Sequence, residues 1–87
     1  MMKTIWKYPI ETTEVQQIGL PQGAEILCVQ MQASTPCLWA LCEHAAPLQP
    51  RTILIFGTGN PITEEPGRYI GTYQLSGGAL VFHVFEE

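Results

Sequence analysis

Short apolar runs, separated roughly every 10–14 residues by turns rich in glycine and proline, are the feature of this sequence that most limits its fold. Runs such as Ala24–Gln32, Cys37–Glu43 and Ala79–Phe85 have the length of strands, and no segment shows the period of an amphipathic helix. Turn sequences such as Leu20–Gly23 and Ser76–Gly78 separate the runs. Six to seven strands joined in this way predict an all-β fold, either a compact antiparallel β-sandwich or a small barrel.

Several of these runs are apolar on both faces, which predicts that both faces are covered. In Cys37–Glu43, for example, Leu38 and Ala40 alternate with Trp39 and Leu41. Packing between two sheets covers one face. Charged residues make up 14% of the chain, against an average near 25%. A surface with so little charge predicts that another subunit covers part of it, so we expect a homo-oligomer.

The 87 residues are expected to form one domain, residues 1–87. Cys28, Cys37 and Cys42 are odd in number and lack the spacing of metal ligands. We interpret them as buried thiols of a reducing cytosol, with a zinc site or a disulfide scaffold as the alternatives. The N-terminal stretch lacks the apolar segment of a signal peptide, and no run is long enough to span a membrane. A soluble, cytoplasmic protein is therefore expected.

The residues needed for catalysis are sparse in this sequence. His44 and His83 are the only imidazoles, aspartate is absent, and no nucleophile motif occurs. His83, between Phe82 and Val84, is interpreted as a satisfied core or interface histidine rather than as a general base. We therefore expect a protein that is not an enzyme and that uses no metal or cofactor.

The segment Arg51–Tyr73 holds the best candidate for a binding site. Its Gly57–Asn60 stretch can form a backbone nest for a phosphate, although an ordinary turn is the simpler interpretation. The net charge of −4, with four cationic side chains, argues against duplex DNA or long RNA as a partner. A small anionic ligand remains compatible with this charge, because backbone N–H groups and one or two arginines can hold a phosphate.

The second half of this segment adds aromatic and hydroxyl groups. Strand alternation predicts Tyr69 and Tyr73 on the same face, with Gly71 leaving a gap between them in which a flat aromatic ligand could stack. Trp39 is a further stacking candidate, and packing is the alternative role for all three rings. The candidate ligand-binding residues are Trp39, Arg51, Gly57, Thr58, Gly59, Asn60, Arg68, Tyr69, Thr72 and Tyr73.

Several blocks of the sequence together resemble one protein family. They are Ile5–Ile10, Pro36–Leu41, Phe56–Ile62, Gly67–Tyr73 and Gly77–Glu86. The chain is similar over nearly its whole length to small proteins encoded in tailed bacteriophages and prophages, which are mostly described as a domain of unknown function. The loop of that family carries histidine where this chain has Asn60, so no role for an imidazole is expected there.

The resemblance implies a function connected with infection. In size, in lack of catalytic residues and in expected self-association, the chain is similar to the anti-CBASS sponge proteins of phages, which bind cyclic GMP-AMP. This implies an immune-evasion protein in the cytoplasm of the infected or lysogenic bacterial host, which sequesters a small cyclic nucleotide without cleaving it. The alternative is a protein-interaction or structural accessory module of phage origin, with no small-molecule ligand.

Overall fold

The computed structural model describes residues 2–87, which form seven β-strands and one short 3₁₀ turn. The strands are β1 (Lys3–Pro9), β2 (Val15–Pro21), β3 (Glu25–Gln32), β4 (Thr35–Glu43), β5 (Leu48–Gly57), β6 (Arg68–Leu75) and β7 (Leu80–Glu86), with the 3₁₀ turn at Ser76–Gly78. Within these residues no helix has the length and apolar character needed to cross a bilayer.

The strands form two antiparallel sheets that pack face to face. One sheet has three strands in the order β1-β4-β3, and the other has four in the order β2-β5-β7-β6. The prediction of an all-β, sandwich-like fold with six to seven strands is confirmed.

The core lies between the inner faces of the two sheets. Leu38, Ala40 and Cys42 of β4 point inward, opposite residues such as Ile53 and Val84 of the four-stranded sheet, and all five are fully buried. The residues that alternate with them point outward, so each sheet has one inner and one outer face. All three cysteines are free thiols.

One side of the sandwich is closed where β3 approaches β6. Gly71 on β6 has no side chain, and a Cβ atom there would lie 2.8 Å from Val29 Cγ1 on β3. Because ordinary carbon contacts need about 3.5–4 Å, only glycine permits this approach. The edge strands of the two sheets therefore meet at this position, which we call the β3–β6 corner.

Two strands begin at places that the sequence did not indicate. Strand β2 begins at Val15 and continues into the predicted turn Leu20–Gly23 as far as Pro21. Strand β5 begins at Leu48, before the segment Arg51–Tyr73. Proline is tolerated at position 50 because β7 pairs only with residues 53–57 of β5, which leaves Pro50 with one neighbouring strand.

Two β-bulges change which side chains face the core. The register shifts between Ile26 and Cys28 and between Tyr69 and Gly71. Strict alternation along the predicted strand Ala24–Gln32 would place Leu27 and Val29 on one face, but Leu27 is 42% exposed whereas Val29 is buried. The extra residue of each bulge interrupts the two-residue alternation on which such predictions depend.

Candidate functional site

Three of the predicted ligand-binding residues meet on the outer face of the four-stranded sheet. Thr72 on β6 lies opposite His83 on β7. Thr58 Oγ1 is 2.7 Å from His83 Nε2, and Thr72 Oγ1 is 3.0 Å from His83 Nδ1. The hydroxyl of Tyr69 hydrogen-bonds to that of Thr72. These four side chains form one continuous chain of hydrogen bonds, called here the His83 row: Thr58, His83, Thr72 and Tyr69.

One arrangement of protons satisfies every donor in the His83 row. The hydroxyl of Thr58 also lies 3.3 Å from the carbonyl of Val81, which can only accept. When Thr58 donates there, His83 Nε2–H donates to Thr58, and Nδ1 accepts from Thr72. Thr72 in turn accepts from Tyr69. This assignment requires a neutral imidazole with its proton on Nε2. It leaves the phenolic oxygen of Tyr69, at the exposed end of the row, able to accept a further hydrogen bond.

Aromatic rings border the row on the same face. The ring of Phe85 lies 5.4 Å from that of Tyr69 and 5.9 Å from that of Phe56, both in edge-to-face geometry. Such contacts hold aromatic rings in fixed orientations. Because Tyr69 is 53% exposed, its ring offers a π surface to solvent beside the polar row.

The outer face around the row lacks formal charge when His83 is neutral. The outward side chains of the three strands β5, β6 and β7, where these strands pair with one another, are Leu54, Phe56, Tyr69, Thr72, Gln74, Val81, His83 and Phe85. Thr52 precedes them on β5, where that strand pairs with β2, and has the same outward alternation. A ligand at the row itself would therefore meet neutral hydrogen-bonding groups and apolar or aromatic surface, although carboxylates line the same face around Leu54 and Phe56.

The loop predicted to form a phosphate nest uses its backbone donors internally. The N–H of Thr58 donates to Val81 O, and the N–H of Asn60 donates to Gly57 O, each at 3.0 Å. Gly59, with φ +89°, provides the positive φ that this tight turn needs. The stretch Gly57–Asn60 therefore behaves as a turn, the simpler of the two sequence interpretations, and two of its N–H groups are not free to bind a phosphate.

Two cavities adjoin this turn. One, of about 420 Å³, lies between Gly57–Asn60 and the start of β7 at Leu80–Phe82. The other, of about 230 Å³, is lined by Thr12, Asn60 and Phe82 among others. Asn60 thus lines both cavities. The predicted loop residues therefore lie next to cavities beside the row, although two of their backbone N–H groups are already hydrogen-bonded.

The two predicted arginines lie together at the β3–β6 corner. Arg51 and Arg68 both pair with Glu86, and each also donates to a backbone carbonyl at the start of β3. Arg51 Nη1 lies 2.9 Å from Ala24 O, and Arg68 Nη2 lies 3.1 Å from Ile26 O. The side chain of Arg51 is 19% exposed and that of Arg68 is 54% exposed. Both arginines therefore join the two sheets, and about half of the Arg68 side chain is also exposed to solvent.

The remaining two predicted rings are separated from the row. Tyr73 was predicted on the same face as Tyr69, and this is wrong because of the bulge between Tyr69 and Gly71. Tyr73 is 3% exposed, lies in the core, and its hydroxyl is 2.7 Å from that of Thr12. Burial raises the pKa of Tyr73, and the hydrogen bond with Thr12 acts in the opposite direction. Trp39 lies on the outer face of the three-stranded sheet, so it cannot act with Tyr69 within one chain.

A further groove, of about 330 Å³, lies where the loop after β5 covers the outer face of that strand. Its floor includes Leu54 and Phe56, and its rim carries four carboxylates. These belong to Glu14, Glu64, Glu65 and Glu87. Carboxylates at this density repel a phosphate, so the groove is a poor site for the predicted anionic ligand.

Sequence reasoning missed three residues at this site: His83, Phe56 and Phe85. Val81, His83 and Phe85 alternate with buried Val84 along β7, and this alternation was readable in the sequence. What the sequence did not contain was the pairing of β7 between β5 and β6, which sets His83 between Thr58 and Thr72. No group of three or more His, Cys, Asp or Glu side chains in residues 2–87 is placed to hold a metal ion.

Comparison with protein families identifies the group to which this sandwich belongs. The chain is a member of the family described as Domain of unknown function (DUF7352), whose model matches residues 1–87. Comparison with curated proteins gives no match, and comparison with solved structures gives none either.

Proposed function

We propose that this protein binds a small cyclic nucleotide second messenger, such as cyclic GMP-AMP, at the His83 row and sequesters it without cleavage. In this proposal it is a phage immune-evasion protein that acts in the cytoplasm of the infected or lysogenic bacterial host. The observation that supports the proposal best is the hydrogen-bonded row beside the exposed ring of Tyr69. A nucleobase has a π face that stacks on aromatic rings and an edge that makes hydrogen bonds, and this surface offers a partner for each.

The phosphates of such a ligand would meet few cations. Arg51 is engaged with Glu86 and Ala24 O, whereas Arg68 pairs more loosely with Glu86, at 3.5 Å, and is largely exposed. Arg68 immediately precedes Tyr69 at the start of β6, so it is the arginine we assign to the ligand. A cyclic dinucleotide carries about two negative charges, and Arg68 of one chain would match one of them.

The hydrogen bonding of His83 supports sequestration of the ligand rather than its cleavage. Both nitrogens of His83 are engaged by threonine hydroxyls. A general base needs a free nitrogen within hydrogen-bonding distance of the proton it removes. The imidazole therefore holds the row in place and does not activate water, and a ligand recovered from the complex should be chemically intact.

The proposal is tested by thermal unfolding of the protein with a panel of cyclic dinucleotides, cyclic trinucleotides and cyclic ADP-ribose isomers. A ligand that binds only the folded state at 100 times its Kd stabilises by about 2.7 kcal/mol. For a domain of this size we expect a rise in Tm of about 10 °C or more. Native mass spectrometry of protein purified from cells that make these messengers should then show the retained, uncleaved nucleotide.

Matched variants locate the binding to the row. Thr72→Val removes one hydroxyl while keeping a β-branched side chain, and it should weaken binding about tenfold through a lost hydrogen bond. Thr52→Val makes the same change on the same outer face, outside the row, and should leave binding unchanged. No shift with any nucleotide in the panel, or equal losses in the two variants, would contradict the proposal.

A second candidate is favoured by the other outer face. Ile5 and Leu27 are 55% and 42% exposed on the three-stranded sheet, which suits a protein-interaction or structural accessory module. Recovery of one stoichiometric host or phage protein, lost in an Ile5→Glu variant, together with no nucleotide binding would favour this candidate.

A further inference from the structure

The Thr58 end of the His83 row opens into a hollow that the row does not fill. Thr58 lines a cavity of about 420 Å³, together with the ring of Phe82 and with Leu80, which is 48% exposed. Pockets that hold small molecules begin at about 300 Å³. The opposite end of the row carries the exposed ring of Tyr69. The row therefore joins two places, each of which has an aromatic ring beside polar groups.

The two ends of the row are too far apart for one base. Tyr69 pairs with Phe85 of β7, whereas Thr58 bonds to Val81, four residues earlier on the same strand. At about 3.3 Å per residue, this separates the two ends by about 13 Å along the strand. A nucleobase is a single flat ring system that is shorter than this distance. A cyclic dinucleotide has two bases, one on either side of its ring of sugars and phosphates, so it can place one base at each end.

Asn60 stands at the second end with its side-chain amide unused. It lines the cavity of about 420 Å³ and the adjoining one of about 230 Å³. Its backbone N–H donates to Gly57 O, whereas its side-chain amide makes no hydrogen bond within residues 2–87. A Cβ atom on Gly57 would lie only 3.0 Å from Asn60 Nδ2. The glycine therefore leaves the room in which the amide of Asn60 lies.

A free amide matches a particular kind of ligand edge. Its carbonyl oxygen accepts a hydrogen bond and its NH₂ group donates one, side by side and in one plane. The bidentate pairing of asparagine with adenine uses both groups. Guanine, cytosine and uracil also have a donor beside an acceptor on one edge. A phosphate has only acceptors, so it leaves the carbonyl without a partner. The amide of Asn60 therefore fits a nucleobase better than it fits the phosphates of the same ligand.

We propose that Asn60 is a recognition residue for the second base of a cyclic dinucleotide, whose first base binds beside Tyr69. The second base lies in the cavity next to Thr58 and Phe82, with its edge on the amide of Asn60. This inference rests on the proposed function and narrows its ligand class, because a cyclic mononucleotide has no second base to place there.

Calorimetric titration with cyclic GMP-AMP, cyclic di-AMP and the mononucleotides cyclic AMP and cyclic GMP tests this assignment. At least one of the two dinucleotides should bind the wild type about 100-fold more tightly than either mononucleotide, because its second base binds without a further loss of translational freedom. Asn60→Ala should weaken that binding about tenfold through the lost amide pairing. Gly57→Ala, which keeps Asn60 but crowds its amide, should weaken it in the same direction. In NMR spectra of nitrogen-15-labelled protein, the dinucleotide should shift the NH₂ resonances of Asn60, and the mononucleotides should not.

Gln30→Ala is the matched control for the loss of an amide. It removes an exposed amide from the three-stranded sheet, so it should bind every nucleotide like wild type. Thermal unfolding must show that each variant is folded. If no nucleotide of the wider panel binds, the proposed function is wrong and this inference is wrong with it. If a nucleotide binds but cyclic dinucleotides are not preferred over the mononucleotides, or if Asn60→Ala binds them like wild type, only the position of the second base is wrong.

Discussion

The two outer faces of this sandwich differ in how their polar groups are arranged. On the outer face of the three-stranded sheet, charged residues such as Lys3 and Glu25 stand around an apolar centre that includes the exposed side chains of Ile5 and Leu27. On the other face, the polar groups of the His83 row are neutral and joined to one another beside an exposed ring. An apolar surface on one face and neutral polar groups on the other both contribute to the low proportion of charged residues in the chain, 14%. One face suits a protein partner, and the other suits a small ligand with hydrogen-bonding edges.

The largest loss of stability is expected from a substitution of Gly67, which supports both faces. Gly67, with φ +96°, precedes β6, and a Cβ atom there would lie 2.2 Å from the backbone oxygen of Glu86. Gly67→Ala should lower the free energy of unfolding by about 3 kcal/mol, through left-handed strain and backbone overlap. It displaces Glu86, to which both corner arginines bind, so ligand binding should fall together with stability. Urea unfolding measures the loss of stability.

Gly59→Ala is the matched control for this change. Gly59 also has positive φ, at +89°, but a Cβ atom there would have no neighbour within 4 Å. This variant should lose only the cost of left-handed strain, about 1 kcal/mol. Equal losses at the two glycines would show that the contact with Glu86 is unimportant and that the two faces do not share this support.

A somewhat smaller effect is expected at the β3–β6 corner. Gly71→Ala places a methyl group against Val29 Cγ1, and overpacking of a buried site of this kind costs about 2 kcal/mol. Val29→Ala removes the obstructing methyl groups at its own cost. In the double variant the loss should be clearly smaller than the sum of the single losses, because one change makes room for the other. Additive losses in urea unfolding would mean that the corner relaxes in another way.

The Gly71 site also shows what could be predicted from the sequence. Apolar alternation and Gly/Pro turns depend on local backbone preferences, and they were sufficient to predict the all-β class and the number of strands. The bulge next to Gly71 was not predictable in this way. At this bulge β6 both pairs with β7 and approaches Val29 of β3, and these are tertiary contacts that no local pattern encodes.

The residue types of the candidate site could be predicted from the sequence, but their arrangement could not, because it too depends on tertiary structure. Thr58, Tyr69 and Thr72 were recognised by residue type, and they do meet. Their common partner, His83, depends on strand order, which no local pattern encodes. Arg51 was predicted as a ligand-binding residue because it lies close to the Gly57–Asn60 loop in sequence. In the structure its largely buried charge is paired with Glu86 instead.

Substitutions of the two corner arginines should have intermediate effects on stability. Comparing their stability with their nucleotide affinity distinguishes a structural role from contact with the ligand. Arg51→Met should destabilise by about 1.5 kcal/mol, because it leaves Glu86 and Ala24 O short of a donor in a half-buried setting. Arg68→Met should cost less than about 1 kcal/mol, because its side chain is mostly in solvent. Nucleotide affinity should respond in the opposite order, with the larger loss for Arg68→Met. The same order in stability and affinity would contradict the roles given to the two arginines.

The smallest effect concerns Tyr73, which lies between the two sheets. Burial raises its pKa in the folded state, while the unfolded chain ionises near the ordinary value of 10. The folded state then holds its proton more tightly, so stability should fall as pH rises from about 10 toward the higher folded pKa. Tyr73→Phe should cost about 1 kcal/mol at pH 7 through the lost bond to Thr12, and its decline above pH 10 should be shallower than that of wild type.

Thr12→Val removes the same hydrogen bond but keeps the titrating hydroxyl of Tyr73. Because that bond lowers the pKa of Tyr73, its loss should raise the pKa further and make the alkaline decline steeper than in wild type. Urea unfolding at pH 7 and at several values above pH 10 should therefore separate two variants that lose the same bond. Parallel declines in the two variants would mean that Tyr73 titrates as it does in the unfolded chain, and that the space between the two faces is open to water at this point.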